Sequence, residues 1–398
     1  MLLELTANTE PGRRLAALAG QLAEQMAATA AHHDRDASYP HESVTALKAC
    51  GYYAAPVPAE LGGMGVGSIH DLIVASSRLA QGDASVAIGV NMHMAVLVNI
   101  ARLWRRADAA DDARRARALA VPLRAVVRDG AVIAAAISEP GQDLTRPATT
   151  ATRTERGWRI DGRKTFCTGS PAATVLYAAV SYVDRDDRQR YGFVPVPVDT
   201  PGVVLNDDWD ALGMRASGSQ SVSFEGVELP PDAVRGGFPA GDARGYVERN
   251  LPAGLFHASA SLGIAEAANR TANAAAARRG ELDAHGRTLV GENAIELSAC
   301  RASLSRAAAL LDEDNGPEPD VMALFAEAQA AKMFVTDAAA RVVDRALCLS
   351  GGAGYLNGNP LARAYRDVKA GAFMHPLGAN RAYEFLADVS LGREPALH

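Results

Sequence analysis

Three side chains in this sequence sit where their types and settings could do chemistry: Ser138, Thr168 and His375. His375 lies in Met374-His-Pro376, shortly after Gly371 and just before an amphipathic stretch. An imidazole gains and loses a proton near neutral pH, which suits it to proton transfer. Pro376 locks φ on one side and Gly371 frees the backbone on the other. The segment alone leaves two readings open, a proton-transfer group or an ordinary loop histidine. Ser138 ends an apolar run in Ala136-Ile-Ser-Glu-Pro-Gly141, where a strand terminus exposes a hydroxyl and backbone N–H groups. Thr168 ends another in Lys164-Thr-Phe-Cys-Thr-Gly169. A third segment, Leu212-Gly-Met-Arg-Ala-Ser-Gly-Ser-Gln220, leads into an alternating strand. Each by itself is compatible with a plain β-turn.

Other motifs carry less. Gly62–Gly67 and Gly351–Gly354 are glycine-rich, but neither follows a strand in a βαβ unit, so both read as turns. There is no P-loop, HExxH or GxSxG. His32-His33 reads as solvated. His93, in Asn91-Met-His-Met94, lies on an apolar helix as either a pocket residue or a satisfied core histidine.

The elements that must position these residues follow from periodicity. Leu15, Leu18, Leu22 and Met26 share a helical face, Ser68 is placed to cap a helix through Leu79, and residues 84–104 are apolar nearly all round. The pattern changes near Val126. Val132–Ile137, Trp158–Gly162, Val175–Val183, Gly192–Val198 and the stretch from Ser221 read as strands, closed by Pro230-Pro231. Long alanine-rich helices follow, over 255–279, 292–311 and 321–349. The order predicts an α+β protein with a helical domain at 1–125, a β domain at 126–235 and a second helical domain at 236–398.

The chain has 398 residues, 48% hydrophobic and 22% charged, as expected of a globular protein with a sizeable core. A net charge of -6 argues against nucleic acid or an anionic membrane as partner. No run reads as long and uncharged enough to span a bilayer. The four cysteines are scattered, which excludes structural zinc and a disulfide scaffold and predicts a reducing cytoplasm.

Taken in order, Ser-Glu-Pro, Thr-Gly, Leu-Gly-Met-Arg-x-Ser-Gly-Ser and Gly-Gly-x-Gly-Tyr followed by Arg366-Asp367 resemble the acyl-CoA dehydrogenase superfamily, over essentially the whole chain. The resemblance implies an N-terminal helical domain, a central antiparallel β-barrel or sandwich-like domain, a C-terminal four-helix bundle, a bound flavin and a homotetramer. It places Ser138 and Thr168 at the flavin ring, Phe166 along it, and Gly351 and Gly352 in the cofactor site. By family position His93 and Met374 border the substrate. Arg215 lies near the flavin edge or forms a structural ion pair.

The departures bear on function. A dehydrogenase needs a carboxylate base, usually eight residues after the aspartate of the Arg-Asp pair; counting from Asp367 reaches His375. The alternative helical position falls at about Ala253, with Glu248 near enough to be a relocated base. The usual CoA contacts are missing at Gly141-Gln-Asp-Leu144 and at Gly254, and the adenosine contacts at Leu282–Gly286 and Cys348. The pattern resembles the branch of two-component flavin monooxygenases and N-oxygenases. That implies FAD or FMN, reduced by a separate reductase, and O2, with hydroxylation of an aromatic or amine-type small molecule through a C4a-hydroperoxyflavin. His375, helped by Ser138, would be the catalytic pair, with no metal. The alternatives are a dehydrogenase or oxidase using Glu248, or a non-catalytic member.

Overall fold

The computed structural model describes residues 3–141, 143–234, 236–313 and 320–397. Five helices come first: α1 (Glu10–Asp36), α2 (His41–Ala49), α3 (Ile69–Ala80), α4 (Ala84–Ala109) and α5 (Ala113–Asp129). Leu15, Leu22 and Met26 are buried along α1, as their spacing predicts. Ser68 caps α3 by accepting a hydrogen bond from the Asp71 amide at 3.2 Å. Contrary to expectation, α4 is long and apolar enough to cross a membrane, but 78% of its most apolar window is buried inside the protein. It packs against α3, α5 and a later helix, which explains its apolar circumference. Helix α5 also overruns the predicted change of pattern at Val126. Its buried face, Ala116, Ala120, Leu123 and Val126, keeps helical spacing to the Gly130 cap at φ 63.

Eight strands follow: β1 (Ile133–Ala136), β2 (Thr150–Thr154), β3 (Gly157–Cys167), β4 (Val175–Val183), β5 (Gln189–Pro197), β6 (Val203–Leu205), β7 (Gln220–Leu229) and β8 (Phe238–Pro239). They form one sheet in the order β6-β7-β3-β2-β4-β5-β8, with β1 beside β4. Pairing is mostly antiparallel; β1 runs parallel to β4, as does the short β2–β4 contact. Alternation puts Leu176, Ala178 and Val180 of β4 into a core of their own with Trp158, Ile160, Val194, Val222 and Phe224.

The last six helices are α6 (Ala243–Asn250), α7 (Ala253–Arg279), α8 (Ala284–Asp312), α9 (Val321–Ser350), α10 (Pro360–Val368) and α11 (Ala379–Ser390). Helices α7, α8 and α11 pack on α9, and α3 and α4 pack on α7, so the two helical regions bury one common cluster.

Polar ties join the layers. Arg366 grips both carboxylate oxygens of Asp34 on α1, at 2.8 and 2.5 Å, and the Leu212 carbonyl at 3.3 Å. The Met214 amide donates to Asp367 at 2.7 Å. Between them Gly213 is pressed so closely that a Cβ would stand 2.3 Å from the Arg366 carbonyl oxygen, so only glycine fits. Within the sheet, the fully buried Lys164 meets Glu139 at 2.6 Å and also donates to the Ile137 carbonyl. These two contacts bracket Ser138, whose carbonyl accepts from the Thr165 amide at 2.8 Å. Lys164→Met removes the charge paired with Glu139, leaving that carboxylate to its hydrogen bonds from Ala148 and Thr149, and should cost about 3 kcal/mol, read as a lowered urea midpoint at unchanged slope.

Candidate active site

Where the sheet, α4, α7 and the segment after α10 meet, they enclose a cavity of about 380 Å³. The β side contributes Ser138, Phe166, Thr168, Met214 and Ser219; α4 contributes Ile88 and Met92; α7 contributes His257. The opposite wall is Arg366, Lys369, Phe373, Met374 and His375. No aspartate or glutamate lines it among the described residues.

Ser138, two residues beyond β1, and Thr168, one residue beyond β3, both line the cavity. Thr168 accepts a hydrogen bond from Ser219 Oγ at 3.0 Å. Phe166, at φ 54, is turned out of the sheet and is 63% exposed. It meets Trp209 edge-on with centroids 5.9 Å apart. Trp209 itself is anchored by its indole N–H to the Met214 carbonyl at 3.0 Å.

His375 is brought to the cavity by the loop between α10 and α11, together with Met374. Its Nε2 lies 2.7 Å from Asn250 Oδ1. The Asn250 amide nitrogen donates to the Tyr246 carbonyl at 2.8 Å, which orients that amide and leaves its oxygen facing the ring. Nε2 therefore carries the proton and Nδ1 the lone pair. Nδ1 has a long contact, 3.4 Å, with the Tyr246 hydroxyl, whose own proton goes to the Pro376 carbonyl at 2.7 Å. Burial, then the charge of Lys332, holds the His375 imidazolium down to about 3, so the ring is neutral at physiological pH. Gly371, expected to loosen this loop, is buried and tightly packed: a Cβ there would lie 2.8 Å from Thr336 Cγ2.

Several predicted site residues lie elsewhere. His93 is fully buried but outside the lining; Nε2–H donates to the Tyr53 carbonyl at 2.9 Å and Nδ1 accepts from the Ile133 amide at 3.0 Å. With both nitrogens satisfied it joins α4 to β1 rather than facing substrate, and burial lowers its pKa to about 4. Arg215 also lies outside the lining: it donates to the Asp34 carbonyl at 2.8 Å and pairs with exposed Asp210 at 3.5 Å. Gly351 and Gly352 are exposed at the end of α9, away from the cavity. Glu248 pairs with Arg244 at 3.1 Å outside the lining, and Ala253 is the first residue of α7. His33, read as solvated, is buried against Glu42 at 2.6 Å and Ser38 at 2.8 Å.

The sequence reading missed Trp209, Lys369 and His257. His257 is 3% exposed, lines the cavity, and neither ring nitrogen has a partner among the described residues. It stands one helical turn after Ala253, the only sequence signal that pointed to it. Burial and the neighbouring Lys332 and His375 push its pKa well down. Lys369 stands 5.0 Å over the Tyr365 ring, while the charge of Arg366 is already taken by Asp34.

The sequence matches the descriptions "Acyl-CoA dehydrogenase, N-terminal domain" over residues 9–106, "middle domain" over 134–227 and "C-terminal domain" over 252–380. The chain belongs to the acyl-CoA dehydrogenase superfamily. It is 34% identical to an amino sugar nitrososynthase of Streptomyces peucetius, over 97% of this chain and 95% of that one. It is 32% identical to the L-evernosamine nitrososynthase of a Micromonospora species, over 96% of this chain and 91% of the other. The solved structure of KijD3 with FMN and dTDP-3-amino-2,3,6-trideoxy-4-keto-3-methyl-D-glucose is 32% identical with a TM-score of 0.90, covering 99% of this chain and 97% of that one. This superfamily member is a flavin-dependent oxidoreductase whose cofactor is FAD or FMN. The likeness to nitrososynthases supports oxygenase chemistry. The cavity fits a flavin: it offers hydroxyls from Ser138, Thr168 and Ser219, the aromatic side chains of Phe166, Trp209 and Phe373, a cation in Lys369 and, among the described residues, the open ring nitrogens of His257.

Asn250→Asp puts a carboxylate against His375 Nε2, where opposite charge favours the protonated ring. The His375 pKa should rise from about 3 toward the ordinary histidine value, read from the side-chain NMR signal across a pH titration.

Proposed function

We propose that this enzyme is an N-oxygenase that converts the primary amine of a nucleotide-linked amino sugar to a hydroxylamine and on to a nitroso compound. Reduced flavin comes from a separate reductase, and O2 is the oxidant. The observation that carries the reading is a neutral imidazole at the position of the dehydrogenase base, in a cavity whose described lining holds no carboxylate. A dehydrogenase must remove a carbon-bound proton and needs a strong enough base to do so. An uncharged amine nitrogen accepts oxygen through its own lone pair, without loss of a carbon-bound proton, and becomes positively charged and acidic once it has done so.

Bound reduced flavin and O2 would supply each oxygen transfer: one oxygen atom goes to nitrogen, the other leaves as water, and the flavin provides two electrons; a second round on the hydroxylamine nitrogen, with loss of a further water, gives the nitroso group. The protein residues do the rest. With flavin bound, Ser138 and Thr168 would hold its ring, Phe166 and Trp209 would pack against it, and Met374 and the apolar α4 wall would exclude water. His375 Nδ1 accepts a hydrogen bond from the amine and takes its proton after transfer. Lys369 is the cation left for an anionic group at the cavity wall. The likeness to KijD3, solved with a dTDP-linked amino sugar, supports that substrate class. Gly351 and Gly352, exposed and distant from this chain's own cavity, contact cofactor only across a subunit boundary of the homotetramer. The unpaired thiols suit a cytoplasmic enzyme.

The test is to supply the protein with flavin, a flavin reductase, NAD(P)H, 18O2 and a dTDP-linked 3-amino sugar. The sugar should gain one labelled oxygen on nitrogen. Bleaching of oxidised flavin by an acyl-CoA without oxygen, and no labelled product, would defeat the reading. His375→Ala should lower product formed per flavin oxidised by roughly 10²-fold and divert the oxygen to hydrogen peroxide.

A further inference from the structure

Two lysines of this protein are fully buried, and they differ in one respect. Lys164 faces a carboxylate, whereas Lys332 on α9 has no acidic partner among the described residues. A buried ammonium is costly unless its protons are used. The Lys332 ammonium donates to two backbone carbonyls, those of Met374 and Leu377. These carbonyls flank the His375-Pro376 pair. Of the two carbonyls between them, that of Pro376 accepts from the Tyr246 hydroxyl at 2.7 Å. Three of the four carbonyls from Met374 to Leu377 are thus held by Lys332 and Tyr246. One turn further along α9, Thr336 packs against Gly371 at the start of the same loop. On α7, Gly254 faces the same stretch of α9: a Cβ there would lie 3.0 Å from Gln329 Nε2 and 3.5 Å from Lys332 Cδ.

We infer that Lys332 is a positioning residue for His375: it fixes the loop that presents the imidazole and places a positive charge beneath it. The catalytic part of this inference rests on the N-oxygenase reading; the positioning part does not. The titratable and charged groups facing His375 are Lys332 from α9, His257 from α7 and Tyr246 from α6, with Lys369 and Arg366 on the cavity wall. Arg381 on α11 acts on Tyr246. None of these is an acid, so nothing in the cluster favours protonation of His375. Burial draws Lys332 itself down to about 7, so the clamp gains charge as the pH falls through neutrality. The charge of Lys332 disfavours protonation of His375, while its N–H groups hold the loop in place.

The experiment uses the full chain without flavin, with isotope-labelled histidine, and the His375 signal assigned by its loss in His375→Gln. In Lys332→Met the His375 pKa should move upward and the Nε2–H signature should blur, while Lys332→Arg should stay near the native titration. In turnover, Lys332→Met should lower product per flavin oxidised about tenfold, and adding it to His375→Ala should cost nothing more, because residues acting through one another are non-additive. An unmoved His375 titration, or losses that simply add, would overturn the inference. Should the methionine variant fail to fold, Lys332→Gln keeps a buried donor without the charge. An unshifted His375 in that variant overturns the inference equally. The titration needs no substrate, so a failed N-oxygenase assay with a shifted His375 would reject the function and leave the positioning role standing.

Discussion

Arg366 and Asp367, adjacent in sequence, tie together three stretches of chain that are otherwise far apart. Arg366 reaches Asp34 in the first helix, and Asp367 receives the Met214 amide from the loop before β7. The first contact is a two-pronged ion pair and the second a charge-assisted hydrogen bond with a fully buried carboxyl. Burial raises the Asp367 carboxyl to about 7, against the pull of the Met214 N–H, so the interaction is sensitive to its surroundings. Gly213 allows the backbones to meet at this point. The cavity exists because helices and sheet are held together here, and the loop carrying His375 leaves from the same place.

The cavity's electrostatics follow from what it lacks. Its described lining holds cations, hydroxyls, aromatic rings and two imidazoles, without a carboxylate to draw protons onto the histidines. Burial does the larger part of keeping those imidazoles neutral, and the lysine beneath adds to it. A site built this way suits an uncharged nucleophile and a bound, partly anionic cofactor. It offers little to a reaction that must abstract a proton from carbon.

Much of the architecture was legible in the sequence because local pattern and final burial agree. Strand β4 was read with the same ends that it has, since its alternation is matched by a sheet buried on one face. Strand β2 was not read, because Thr150–Thr154 has little apolar signal and owes its conformation to its pairing with β3. Helix α5 carries past the expected change of pattern near Val126, because its buried face, Ala116, Ala120, Leu123 and Val126, keeps helical spacing. At the site, Ser138, Thr168, Phe166, Met374 and His375 line one cavity, and each belongs to a segment with a recognisable turn or strand end. His93 and Arg215 do not, since the partners that occupy them, the Tyr53 and Asp34 carbonyls, lie far off in the chain. His257 left almost no local trace, being a polar residue on a helix that is otherwise apolar around it.

By itself the sequence determined the order of helices and strands, the superfamily, and the replacement of a carboxylate by His375. These depend on periodicity, turn residues and residue identity, which are local. Only the tertiary structure decided which histidines face the cavity and in what protonation state. Those properties depend on burial and on partners distant in the chain, such as Asn250, 125 residues before His375. An imidazole's chemistry is set by the groups around it, and those are brought together only by folding.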